Sequence, residues 1–177
     1  EQNAFVTRQS NGKYYRFHHM MKECTQRAFA MLSHEKQTDF RNRYGQWYES
    51  HGQFLQALAA YSKALNYDAA LAVIQKDAGI LLASLSPEKV LAFLDACPTE
   101  ILKSRPLALL VLMRRMFTWH QIPKMLELKE LLLASIREHP KLSEEESGNL
   151  LGECDLIQSF LMYNDISRMS QFHRSAS

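Results

Sequence analysis

The stretch Gly45-Gln-Trp-Tyr-Glu-Ser-His-Gly-Gln-Phe-Leu-Gln-Ala-Leu58 carries the signal that decides the fold. It joins two segments of helical periodicity, at about 34–50 and 54–64. Between them, Gly52 suits the left-handed position that follows the C-terminus of a helix, because glycine adopts a positive φ without steric penalty. The sequence therefore predicts an antiparallel pair of helices joined by a short turn.

Small and aromatic residues recur across this helix pair at the spacing of a tetratricopeptide repeat (TPR), in which small residues let two helices approach closely. The matching positions are Gly45, Tyr48, Ala57, Tyr61 and Ala64. The pair departs from the full repeat because Arg41 stands where the leading Trp is usual. Thirty-four residues further on, only the glycine recurs, as Gly79. We therefore expect unequal helix pairs in a right-handed superhelical stack rather than a regular array.

The rest of the chain is also expected to be helical, since only five prolines and six glycines punctuate 177 residues. A first helix from residue 18 has an apolar face formed by Met20, Cys24, Ala28, Met31 and Leu32. Later helices are predicted near 68–77, 80–84, 87–96, 105–119, 123–139, 143–163 and 165–173. Ser143 and Glu146 form a capping box at one of these starts. The run 107–113 is apolar on every side and should lie at the centre of the core.

Only the N-terminus has a β-strand pattern. The runs 3–8 and 13–17 flank Asn11-Gly12, which supplies the left-handed residues of a hairpin turn. An isolated hairpin is marginally stable in water, so we expect residues 1–17 to be the remnant of a winged-helix domain. Residues 18–177 then form a TPR-like helical arm domain. The predicted class is all-α, a TPR-like right-handed superhelical stack of antiparallel helix pairs with a short N-terminal β-hairpin.

Composition excludes several classes of function. The net charge of +2 arises from 21 basic and 19 acidic residues spread along the chain, without the basic stripe that contact with nucleic acid requires. No apolar run reaches the roughly 18 residues of a membrane span, so we expect a cytoplasmic protein without membrane contact. Neither a phosphate-binding glycine-rich loop nor a nucleophile-and-base set occurs, and no catalytic residue is predicted. We therefore expect a non-enzymatic segment of a larger protein.

The cysteines are odd in number and widely separated. Cys24, Cys97 and Cys154 lack the close pairing of a zinc site, and each lies in an apolar helical pattern. They are predicted to be buried free thiols.

Three short motifs, in this order, resemble MalT-like regulators of the LuxR family. They are Phe17-His-His-Met-Met21, which is similar to the end of a winged-helix domain; Trp47, Gly52 and Ala57, at the start of the helical arm; and Pro98, Pro106 and Leu107, at a later turn into a helix. The resemblance implies the central fragment of a STAND-type, ATP-dependent transcriptional regulator. Its nucleotide-binding, sensor and DNA-binding domains would lie outside this chain, which itself would hold no cofactor. ATP or ADP would bind the parent protein.

The resemblance implies one candidate cofactor-binding residue, His18, in the register of a histidine that senses the β-phosphate of bound nucleotide. An imidazole donates a hydrogen bond to phosphate and loses it when domains rotate. His19 stands where the family has an aspartate, so the match is incomplete. A metal site at this pair is the weaker alternative, because adjacent residues point to different sides of a helix. A plain helix start is the other alternative.

The expected partners are other domains of the same protein, and self-association stays open. The alternative function is a TPR-like protein-protein interaction adaptor that binds a partner peptide. That function needs a concave groove lined by exposed polar and aromatic side chains. Candidates for such a lining are Tyr44, Trp47, Tyr48, Phe54 and Tyr61. At this spacing, however, we expect the five aromatic residues to fill the contact between two helices.

Overall fold

The fold is described from a computed structural model, which describes the backbone of residues 6–8, 15–17, 19–138 and 143–175 and the side chains of 20–138 and 143–162. Two strands precede the helices, β1 (Val6–Arg8) and β2 (Tyr15–Phe17). The helices are α1 (His19–Ala30), α2 (His34–Ser50), α3 (Phe54–Lys63), α4 (Tyr67–Lys76), a 3₁₀-helix (Ile80–Ser84), α5 (Pro87–Ala96), α6 (Thr99–Lys103), α7 (Pro106–Thr118), α8 (Ile122–Glu138) and α9 (Glu144–Ser175). The predicted all-α class is confirmed.

The two strands run antiparallel. Val6 pairs with Phe17, Thr7 with Arg16 and Arg8 with Tyr15. The turn that we predicted at Asn11-Gly12 lies outside the described residues, so the complete hairpin stays a prediction.

Several helices begin where the side chains can satisfy free backbone N–H groups. The Ser33 hydroxyl accepts a hydrogen bond from the Lys36 N–H at 3.4 Å, at the start of α2. At α9, the Glu146 N–H donates to the Ser143 Oγ (3.1 Å) and the Ser143 N–H donates to the Glu146 carboxylate (2.9 Å). The predicted capping box is confirmed.

The turn between α2 and α3 has the predicted form. Gly52 has a φ of +69°, and the Gln53 N–H donates back to the Tyr48 carbonyl at 2.8 Å. This geometry reverses the chain so that α3 packs against α2, one of the most extensive helix contacts in the described structure. Gly45 permits the close approach, since a Cβ built there would lie 2.5 Å from Cε1 of Tyr61.

A buried polar cluster holds the next helix in place. The Tyr61 hydroxyl donates to Glu49 at 3.1 Å, and the Lys76 ammonium lies 3.1 Å from the other oxygen of the same carboxylate. Burial and the neighbouring Glu49 carboxylate raise the pKa of Tyr61 to about 12, so the phenol stays protonated and donates. The cluster therefore connects α2, α3 and α4.

The core is centred on α7, as predicted from its apolar run. Within 107–113, Leu109, Leu112 and Met113 are almost fully buried, whereas Leu107 is 46% exposed at the start of the helix. Helix α7 packs mainly against α8, and also against α4, α6 and α9. Burying each such side chain contributes roughly 1.5–3 kcal/mol. This helix therefore positions the rest of the stack.

Two helix predictions were wrong. Helix α6 was missed, because five residues between Pro98 and Ser104 are too few for a periodic pattern to register. Helix α9 is continuous through Ser175, although the sequence predicted a break between 163 and 165. Asn164 has a low helix propensity, but neither glycine nor proline interrupts the backbone there.

Candidate interaction surface

A groove lies between α3 on one side and α1 and α2 on the other, with a volume of about 560 Å³. We call it the aromatic groove. It is lined by Thr25, Gln26, Phe29, Arg41, Tyr44, Tyr48, Gln56, Ala59, Ala60 and Lys63. Tyr44 is 55% exposed, so its ring is accessible from the groove.

Arg41 holds the walls of the aromatic groove together. Its guanidinium donates to the Lys63 carbonyl on α3 and to Gln37 on α2, each at 3.2 Å. The same guanidinium lies 5.4 Å from the ring centroid of Phe29 on α1, within the range of a cation–π contact. Sequence analysis noted Arg41 only as a departure from the repeat pattern, and its role as the contact between three helices was missed.

The five aromatic residues of the α2–α3 region divide into two groups. Tyr61 is 3% exposed and belongs to the core, and Tyr48 and Phe54 are half-buried, so the core prediction is confirmed for Tyr61 and holds in part for the other two. It was wrong for Tyr44 and Trp47, which are 55% and 52% exposed. Successive helical positions are turned by about 100°, so positions next to the buried face point outward.

Trp47 lies on the outer side of α2, near the turn. Its ring stacks on His51 with 4.2 Å between the ring centroids. A ring nitrogen of His51 lies 2.7 Å from the Trp47 carbonyl, which fixes the imidazole over the end of the helix. Trp47 does not line either of the grooves beside α3.

A second groove lies on the opposite side of α3, against α4, the 3₁₀-helix and α5, and also measures about 560 Å³. We call it the apolar groove. It is lined by Leu55, Leu58, Ala59, Ser62, Lys63, Tyr67, Ile74, Leu82, Ser84, Leu85, Lys89, Val90, Ala92, Phe93 and Ala96. The rings of Tyr67 and Phe93 contact each other, with centroids 5.8 Å apart. Nothing in the sequence pattern indicated this groove, because its walls come from four separate elements.

The two grooves adjoin along α3 and share one charge sign. Ala59 and Lys63 line both, and both are exposed. The charged residues in the linings are Arg41, Lys63 and Lys89, and neither lining contains an aspartate or glutamate. Together the grooves form a concave, mainly apolar surface with cationic groups.

Helix α1 exposes the apolar side that the sequence marks. Met20 is 66% exposed and Met31, just beyond the helix, is 88% exposed. Helix α1 packs against α2 through Phe29, whose ring makes an edge contact with Phe40 at 6.4 Å. The exposed side, which we call the α1 face, consists of Met20, Cys24, Ala28 and Met31.

The prediction of buried thiols holds for two of the three cysteines. Cys97 and Cys154 are buried, and burial raises the pKa of both, to about 11 for Cys97. The prediction was wrong for Cys24, which is exposed on the α1 face. Its apolar helical pattern marks a face that could be buried, but the described part of the chain does not cover it.

His18 lies outside the described residues, so its predicted role stays a prediction. Within residues 20–138 and 143–162, no group of three or more His, Cys, Asp or Glu side chains is arranged to hold a metal ion. No described helix combines the length and apolar character needed to cross a membrane. Comparisons with protein-family models, with curated proteins and with solved structures find no match to this chain.

Proposed function

We propose that this chain is the helical coupling segment of a MalT-like, LuxR-family transcriptional regulator. It links an upstream nucleotide-binding module to downstream sensor and DNA-binding domains and catalyses no reaction itself. In this proposal β1 and β2 end a winged-helix domain, and the helices from α1 onward form a TPR-like right-handed superhelix. ATP or ADP binds the upstream module, with His18 near its phosphates.

The α1 face is the observation that carries the proposal. Its members stand at positions 20, 24, 28 and 31, which is the spacing of a stripe that a helix buries against a partner. Exposed apolar patches on folded proteins commonly mark interaction sites. Because α1 begins two residues after β2, a domain that ends with β2 is well placed to cover this face. Such a contact would transmit the position of the upstream module to the helical stack.

The test uses the full-length regulator and compares Met20→Glu with Ile80→Glu. Ile80 is 71% exposed and lies away from the α1 face, so it serves as a matched control. We expect Met20→Glu to weaken ADP binding, measured by calorimetry, and to ease ATP-dependent oligomerisation, measured by light scattering. His18→Ala should act in the same direction. The proposal fails if Met20→Glu and Ile80→Glu both behave as the unmodified protein does.

The aromatic groove favours a second candidate function, a TPR-like adaptor that binds a segment of another protein. The feature that this function needs is an accessible groove with polar and aromatic walls, and Tyr44, Gln56 and Lys63 supply such groups. The two candidates differ in where activity resides. An adaptor binds its partner as an isolated chain, whereas a coupling segment acts only with its neighbouring domains.

A further inference from the structure

We infer that the two grooves beside α3 together bind a partner-protein segment that is both acidic and apolar. The inference deepens the adaptor function and rests on it. It does not depend on the MalT-like assignment, because it uses only the lining and charges of the grooves.

The shape of the surface favours a peptide segment over a compact ligand. The grooves lie on opposite sides of α3 and meet along its outer side, where Leu55, Ala59 and Lys63 follow one another at intervals of four residues. Ala59 is the small residue at the middle of this line, so a chain can cross α3 close to its backbone. Each groove can then receive one apolar or aromatic side chain of the segment.

The walls offer matching contacts for such side chains. Tyr44 and Phe29 present ring surfaces in the aromatic groove, and Tyr67 and Phe93 do so in the apolar groove. Aromatic residues in accessible clefts are frequent anchors of protein–protein binding. Leu55, 37% exposed, adds apolar surface at the rim of the apolar groove.

The unpaired cations indicate the charge of the partner. Between helices elsewhere, the chain pairs its basic groups with carboxylates: Lys76 with Glu49, Lys103 with Glu138, Arg105 with Asp68 and Lys124 with Asp95. Within the described residues, Lys63 and Lys89 have no such carboxylate partner. Arg41 bonds only to a carbonyl and an amide. A segment whose carboxylates reach these groups would gain charge-assisted hydrogen bonds that the chain alone does not supply.

A nucleic acid is the other anionic macromolecule to consider, and the surface fits it less well. Phosphate binding uses a row of many cations along a backbone, whereas the linings here are mainly apolar and carry three cationic side chains. The grooves therefore favour a protein segment, and nucleic acid becomes an outcome of the test.

The test measures binding of short synthetic peptides to the complete 177-residue chain by fluorescence anisotropy at low salt. The peptides share leucine and phenylalanine at helical spacing and differ only in carrying glutamate, glutamine or lysine at the other positions. A single-stranded oligodeoxynucleotide is measured alongside. We expect the glutamate peptide to bind at least roughly tenfold more tightly than the glutamine peptide, and to lose this advantage at high salt.

Charge-reversal variants locate the binding site. Lys63→Glu combined with Lys89→Glu should turn the preference toward the lysine peptide, while Tyr44→Ala should weaken both the glutamate and glutamine peptides. Lys36→Glu is the matched control, because Lys36 is exposed on α2 and lines neither groove. A reversal of preference cannot come from misfolding, which would only abolish binding.

Three results would overturn the inference: equal affinity for the glutamate and glutamine peptides, an unchanged preference in the Lys63→Glu, Lys89→Glu variant, or tighter binding of the oligonucleotide than of the glutamate peptide. None of them bears on the coupling function, which is tested at the α1 face of the full-length regulator.

Discussion

Replacing Gly45 with alanine should destabilise the chain, although alanine is the better helix former. In an open helical position the exchange gains about 0.5–1 kcal/mol. Here the new Cβ would lie 2.5 to 2.8 Å from three ring atoms of Tyr61, which is 3% exposed and tied by its hydroxyl to Glu49. Overpacking of a core costs roughly 1–3 kcal/mol. We therefore expect a net loss of about 1–2 kcal/mol in the free energy of unfolding.

The assay is urea denaturation followed by circular dichroism, in two backgrounds. Tyr61→Leu removes the ring, so Gly45→Ala should become neutral or stabilising by up to about 1 kcal/mol when the two changes are combined. Gly148→Ala is the control, because a Cβ at Gly148 meets nothing within 4 Å and alanine should stabilise α9. Our explanation of the close α2–α3 contact is refuted if Gly45→Ala stabilises the chain as Gly148→Ala does, with Tyr61 intact.

Two further measurements test the burial and charge of individual groups. In the folded chain, a thiol reagent should modify Cys24 rapidly and modify Cys97 and Cys154 only after denaturation; rapid reaction of all three would contradict their different burial. The hydrogen bonds from Arg105 lower the pKa of Asp68, so the pair stabilises the fold above the ordinary carboxyl pKa, and this contribution is lost as the pH falls through the lowered value. Asp68→Asn should therefore cost about 0–1 kcal/mol at neutral pH, because the pair is largely exposed, and nothing in strong acid; a cost that is equal at both pH values would disprove the linkage.

The sequence allowed correct prediction of features that depend on neighbouring residues. Gly52 marked the turn because only a residue tolerant of positive φ fits there, and Ser143 with Glu146 marked a helix start through a local pair of hydrogen bonds. The run 107–113 marked the core because it leaves no polar side to face solvent. Helix α6 escaped prediction because its five residues contain no complete periodic pattern.

The candidate site could not be predicted in the same way, because its residues become neighbours only when the helices pack. Lys89 on α5 and Lys63 on α3 are separated by 26 positions and line the same apolar groove. Tyr44 was expected in the core because its spacing suits a helix contact. The spacing does not show that Gly45 and Tyr48, rather than Tyr44, lie closer to α3. Periodicity identifies a face, but the partner of that face depends on the tertiary structure.

The α1 face and the aromatic groove are connected through one residue, and this connection relates the two proposed functions. Arg41 contacts the ring of Phe29 on α1 and the carbonyl of Lys63 on α3. A domain that docks on α1 and a segment that binds beside α3 would therefore act on opposite ends of the same contact. If docking changes the position of α1, the aromatic groove changes its width, and by thermodynamic linkage the bound segment changes the affinity of α1 for its domain. Coupling and partner binding are then two aspects of one surface, rather than competing descriptions of the chain.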